Sequence, residues 1–189
     1  ESECYPAKLA HGHVQWLINQ GIQTIFHPCV FYEYQETQGA QNHYNCPIVV
    51  SYPENLKNNV DAVTEGGIAY IRPFIAMTDE KTAAARLEQL CQEVWGISKG
   101  ETRRAVHTAW AEQRRAKEDV RAKGREVLRW MEEHRRRGIV LAGRPYHMDP
   151  EIHHGIPELI ASYGLAVLTE DSIPVDFTPE RPLWANDQW

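Results

Sequence analysis

Four residues in this chain are of a type that can ligate a soft metal or act as a nucleophile: Cys4, Cys29, Cys46 and Cys91. Thiolates suit zinc and iron–sulfur clusters, and the thiolate is also the reactive form of cysteine. The first three are separated by 24 and 16 residues, which is neither a zinc-ribbon nor a ferredoxin spacing. Taken singly, each cysteine reads first as a small core side chain, because cysteine is among the most often buried residue types. Cys91 stays in that class, on the apolar face of a helix. Four cysteines are too few for a disulfide scaffold in 189 residues. Free thiols or metal ligands in a reducing, cytoplasmic compartment are the expectation.

Their positions say more than their spacings. Cys4 immediately precedes a predicted helix, where the dipole and unpaired N–H groups favour a thiolate. Cys29 closes a predicted strand, and ligands of parallel sheets gather outside the carboxyl ends of strands. Arg144, Tyr146 and His147 follow another predicted strand and meet the same rule. Cys46 precedes its predicted strand, so it would reach the others by way of the 32–45 loop. His11 and His13, two apart on a helix, point to different faces and make no local metal pair. His153 and His154 read as ligands, caps or surface residues. No dinucleotide fingerprint, phosphate-binding loop or nucleophile elbow is present.

These residues need elements to hold them. PAKLAHGHVQWLINQ, 6–20, reads as a helix with Pro6 in its first turn and Gly21 as its stop. QTIFHPC, 23–29, reads as a short buried strand. The polar stretch 32–45 is a loop long enough to serve a function. PIVVSYP, 47–53, reads as a second strand, 54–64 as a helix, and IAYIRPFI, 68–75, as a third strand. Thr78 or Asp79 caps a helix over 80–95, with Leu87, Leu90, Cys91 and Val94 on one face. A long helical pattern covers 101–137 and ends at Gly138. GIVLAG, 138–143, is a fourth strand, 157–163 a helix and LAVLT, 165–169, a fifth strand. Helices alternating with short all-apolar strands predict α/β architecture, with parallel sheets in Rossmann-like three-layer units. The expected organisation is an α/β unit over 1–78 carrying the candidate cysteines, a helical section over 79–137, and the start of a second, partial α/β unit over 138–189.

The composition is that of an ordinary globular protein, with 42% hydrophobic and 24% charged residues. No apolar run is long enough to span a membrane. The net charge of −6 hides an asymmetry: residues 99–137 hold 13 of the 20 Lys and Arg but 7 of the 26 Asp and Glu. That segment reads as a solvated helix of mixed sign rather than a nucleic-acid surface, since only Trp110 and Trp130 interleave with its charges. The chain opens on Glu-Ser-Glu-Cys without Met and closes on TPERPLWANDQW, which reads as a segment of a longer polypeptide.

Several strings together resemble one family: ESECYPAKLAHGHV, FHPCVFYE, NHYNCPIVVSYPENLKNN, LAGRPYHMDPEIHHGIPEL and LAVLTEDSI. They are similar to the large activase-related proteins of the 2-hydroxyacyl-CoA dehydratase system. There, ATPase domains of the sugar-kinase and actin type are followed by a region like the dehydratase subunits. The resemblance covers most of 1–78 and 138–175. It implies an oxygen-sensitive iron–sulfur cluster and ATP-driven transfer of a low-potential electron. Its candidate ligands here are Cys4, Cys29 and Cys46. Tyr5, Lys8 and His27 adjoin them in sequence and become candidate neighbours of the cluster. Arg144, Tyr146 and His147 become candidates for a site wall or for an anionic group. The implied partners are ATPase domains of the same polypeptide and a dehydratase or other low-potential acceptor. Two alternatives stand beside this reading. One is a non-catalytic interaction module with buried cysteines or a structural metal such as zinc. The other is a dehydratase-like acyl-CoA lyase, for which no acid–base pair is evident.

Overall fold

The computed structural model describes residues 4–35 and 42–174. They fall into two compact units, divided between His107 and Thr108. The end segment TPERPLWANDQW and the middle of the 32–45 loop lie outside the described residues.

The first unit begins with α1 (Tyr5–Asn19), capped by Cys4 in extended backbone, with Pro6 in the first turn. Pro6 has no N–H to leave unpaired there. Gly21, at φ +77°, takes the left-handed position that ends the helix. Two short strands follow, β1 (Thr24–Phe26) and β2 (Cys29–Tyr32). The expected single strand over 23–29 is thus broken, and Cys29 begins the second piece instead of ending the first. Pro28 lies in the break and cannot donate to a ladder.

The stretch 47–53 is a correction. Expected as a strand, it forms the first half of α2 (Pro47–Asn59), with Cys46 as the N-cap. Pro47 occupies the first helical position, which suits proline and starts the helix in spite of the β-branched Val49 and Val50. Pro53 sits inside this helix and is fully buried, so packing offsets the backbone hydrogen bond it removes. A single turn, α3 (Asp61–Thr64), follows.

The expected strand over 68–75 is also two pieces, β3 (Ala69–Ile71) and β4 (Phe74–Ala76), parted by Arg72 and Pro73. β1 pairs with β3 and β2 with β4, both parallel. The two breaks face each other. The His27 N–H donates to the Ile71 carbonyl and the Cys29 N–H to the Pro73 carbonyl, each at 2.8 Å. The ribbon therefore stays hydrogen-bonded through both prolines. Val14, Ile25, Leu56, Val60, Val63 and Tyr70 form the core between this ribbon and the helices.

α4 (Glu80–Trp95) matches its expected span. Asp79 caps it, accepting from the Thr82 N–H at 2.8 Å and from the Thr82 hydroxyl at 2.7 Å. The next helix, α5 (Lys99–Glu133), crosses the division between the units. In the first unit its Arg103 pairs with Glu88 of α4 at 2.8 Å.

The second unit holds the rest of α5, then β5 (Gly138–Leu141), a 3-10 turn over Pro145–Met148, α6 (Pro150–His153), α7 (Ile156–Ser162) and β6 (Ala166–Thr169). α5 stops before the expected residue 137. Arg135, at φ +51°, takes the left-handed position two residues after its last helical residue. β5 and β6 pair in parallel from Gly138–Ala166 to Leu141–Thr169. Gly124 is buried on α5, and a Cβ there would collide with the backbone of Ser172. All three described sheets are parallel and two-stranded, so the molecule is α/β with parallel pairing, as expected.

Candidate functional site

Cys4, Cys29 and Cys46 all belong to the first unit, and all four cysteines carry free thiols. Cys4 and Cys46 occupy the same station on two neighbouring helices. Each is an N-cap, each precedes a proline in the first turn, and neither side chain bonds back to its own helix. An N-cap faces unpaired N–H donors and the positive end of the helix dipole. Both thiols are exposed, whereas Cys29 is fully buried.

The three are arranged along α2. Cys46 starts that helix. The Cys4 Sγ lies 3.6 Å from the hydroxyl of Tyr52, on the second turn. Cys29 begins β2, against which α2 packs, and feels the charge of Glu54 on the third turn. Among the described residues, no group of three or more His, Cys, Asp and Glu is placed to hold a metal ion.

The surroundings of Cys29 are electrostatically distinct. Burial pushes its thiol above the ordinary value, and the Glu54 carboxylate adds to this while Arg72 opposes it. Arg72 Nε donates to Glu54 Oε1 at 2.8 Å. Tyr70, on β3, has its hydroxyl pushed up to about 12, mainly by burial and then by Cys29. It hydrogen-bonds Nδ1 of His27 at 2.7 Å. Burial holds His27 below its ordinary value. His27 is tied to Tyr70, whose hydroxyl feels the charge of Cys29. Tyr70, Tyr52, Glu54 and Arg72 are neighbours of the cysteines and of His27 that the sequence reading overlooked. The charged Arg72 inside the apolar run IAYIRPFI was the available signal. The other two expected neighbours, Tyr5 and Lys8, lie exposed in the first turn of α1.

In the second unit, Arg144, Tyr146 and His147 follow β5 as expected and are all exposed. His147 has a local task. Its Nδ1 accepts the Arg144 N–H at 2.9 Å, and its ring fills the space where a side chain at Gly143 would stand. Tyr146 packs edge-on against the same ring. His153 is likewise engaged, accepting the Gly155 N–H at 3.1 Å.

As a donor set, three free thiols in one unit fit a thiolate-bound iron–sulfur cluster in kind. No helix among the described residues is long and apolar enough to cross a membrane. No curated protein and no solved structure matches the chain. The family model of the CoA enzyme activase uncharacterised domain matches residues 1–173, and the chain belongs to that family.

Proposed function

We propose that the first unit is an iron–sulfur cluster-binding redox module of an acyl-CoA dehydratase activase-related protein, with Cys4, Cys29 and Cys46 as the protein ligands. The observation that carries this reading is the shared station of Cys4 and Cys46: two uncapped N-cap thiols on adjoining helices, in the same unit as Cys29. When bound, such a cluster supplies a one-electron couple at low potential.

The chain's own residues would do the rest. Cys4 and Cys46 present thiols where helix N-termini favour the anion. Burial and Glu54 oppose the ionisation of Cys29, so on binding iron its sulfur would ligate with its proton displaced to solvent. Tyr70 and His27 hold the strand break beside it in a fixed hydrogen bond. Arg144 offers an exposed guanidinium to an anionic group, while His147 keeps its turn in shape. In the same reading, the two-stranded parallel sheets are parts of Rossmann-like three-layer units. ATPase domains of the same polypeptide deliver the electron, and a dehydratase or other low-potential acceptor receives it in the cytoplasm.

The test is anaerobic reconstitution with iron and sulfide, followed by metal and sulfide analysis. Single Ala variants at Cys4, Cys29 and Cys46 should each lose bound iron, and Cys91→Ala should retain it. Equal iron in all four variants, or no iron and sulfide in the unmodified protein, contradicts the reading. A second reading has a specific observation in its favour: among the described residues, no group of three or more His, Cys, Asp and Glu is placed to hold a metal ion. That is an interaction module whose cysteines are structural, and it predicts the second outcome.

A further inference from the structure

A cavity of about 610 Å³ opens at the N-terminal end of α2, within the first unit. Ligand sites usually fall between about 300 and 1,000 Å³. Three rings, those of Phe31, Tyr44 and Phe74, stand in its wall, with the Cys46 thiol at its edge. These rings are held in place by one another and by a fourth. Phe31 packs against Phe74 at 6.4 Å between centroids, and Tyr44 lies 4.1 Å from Tyr32. Tyr44 and Phe74 are nevertheless half exposed. Large aromatic faces left open around a concavity are what a ligand ring would cover.

Several polar atoms of the wall are already engaged. Asn42 Oδ1 accepts the Tyr44 N–H at 3.1 Å. Asn45 Nδ2 donates to the Val30 carbonyl at 3.1 Å and to Glu33 at 2.8 Å. The Ser51 hydroxyl donates to Ile48 and accepts from Asn55. The Tyr44 hydroxyl bonds with that of Tyr32, which pushes the Tyr32 phenol up. Glu54 is balanced by Arg72. The side chains of the wall therefore offer a newcomer mainly ring faces and one thiol, with the Glu54 carboxylate already paired to Arg72.

We infer that this cavity binds an uncharged ring, aromatic or alicyclic, of a small molecule, stacked among Phe31, Tyr44 and Phe74 with Cys46 at its rim. The inference stands apart from the cluster assignment, because Cys46 serves here as a reporter of occupancy.

The experiment labels iron-free folded protein with N-phenylmaleimide and, separately, with N-methylmaleimide. Peptide mass spectrometry gives the rate at each thiol, with exposed Cys4, which does not line the cavity, as internal reference. The phenyl-to-methyl rate ratio at Cys46 should exceed that at Cys4 by about two- to tenfold, the range expected of one added aromatic contact. Benzyl alcohol should slow labelling at Cys46 and not at Cys4. Two variants should bring the ratio at Cys46 down to that at Cys4: Ser51→Trp, which fills the cavity, and Phe74→Ala, which removes one wall. Circular dichroism checks their folding. If Ser51→Trp does not fold, Phe74→Ala decides alone, since its ring is already half exposed. Equal ratios at Cys46 and Cys4 in the unmodified protein, or a preference undiminished in a folded variant, overturns the inference. Labelling without iron makes the outcome independent of whether iron binds, so this inference and the cluster reading fail separately.

Discussion

The two units are built on the same kind of parallel strand pair but are held together differently. In the first, Leu56, Val63 and Cys29 are fully buried, and six core residues join the ribbon to its helices. In the second, Leu168 is the one buried hydrophobic residue among those described, and the strand residues Ile139 and Val140 remain exposed. Most of α5 in this unit is solvated and carries ion pairs such as Arg115–Glu112 and Lys123–Glu126. Exposed pairs of this sort contribute between about zero and 1 kcal/mol. The lesson is that strand pairing by itself does not make a core. The first unit has one because α1 and α2 bring apolar faces to its ribbon, and that is also the unit with the three candidate ligands.

Substitutions break this contrast in a definite order. Leu56→Ala should cost the first unit about 2–5 kcal/mol, the usual range for a buried leucine. Faster amide exchange in β1 and β3, with β5 and β6 unchanged, is the readout. In the second unit the most sensitive position should be a glycine. Gly124→Ala sets a methyl group against the Ser172 backbone and should cost about 1–3 kcal/mol. Amide exchange would show this around β5 and β6, and a neutral outcome would mean that this close approach matters little. Tyr70→Phe removes the bond to His27 and should cost about 1 kcal/mol. At the low end, Lys123→Ala should change stability by less than about 0.5 kcal/mol in urea denaturation.

The pH dependence sharpens the same comparison, because the groups with burial-driven shifts are in the first unit. His27 titrates below its ordinary 6.5 in the folded chain. Its contribution is therefore present above about pH 6.5 and is lost as the pH falls through the folded value. Cys29 and Tyr70 are shifted the other way, from ordinary values of 9.0 and 10.0. Their contributions are present below those values and are lost as the pH rises, for Tyr70 through about 12. The first unit should thus be most stable between about pH 6.5 and 9. Tyr70→Phe should remove the loss between pH 10 and 12. Amide exchange corrected for intrinsic pH effects would follow both limbs.

Much of the local architecture was legible in the sequence. The helix over 80–95 follows from Asp79 and Gly96, whose capping chemistry is local. The parallel pairing follows from short apolar runs between helices. The misreadings share a cause, which is proline. Pro28 and Pro73 each split an apolar run that hydrophobicity alone joins, and they do so at facing positions in two paired strands. Pro47 starts a helix within a run whose valines suggest a strand. The consequence reaches the site. Cys46 stands ahead of an apolar run that reads as a strand, and it is an N-cap as Cys4 is. The network around Cys29 was less legible, because Tyr70, Glu54 and Arg72 approach it through tertiary packing.

The central claim is that Cys4, Cys29 and Cys46 act as one set and Cys91 does not. Quantitative alkylation of the whole protein, before and after anaerobic loading with iron and sulfide, tests it most directly. With denaturant present during alkylation of the unloaded sample, all four thiols react and set the scale. In native protein, loading should abolish reaction at exposed Cys4 and Cys46, keep Cys29 silent and leave the rate at Cys91 unchanged. Full reactivity at Cys4 and Cys46 after loading, or protection that includes Cys91 equally, would contradict it.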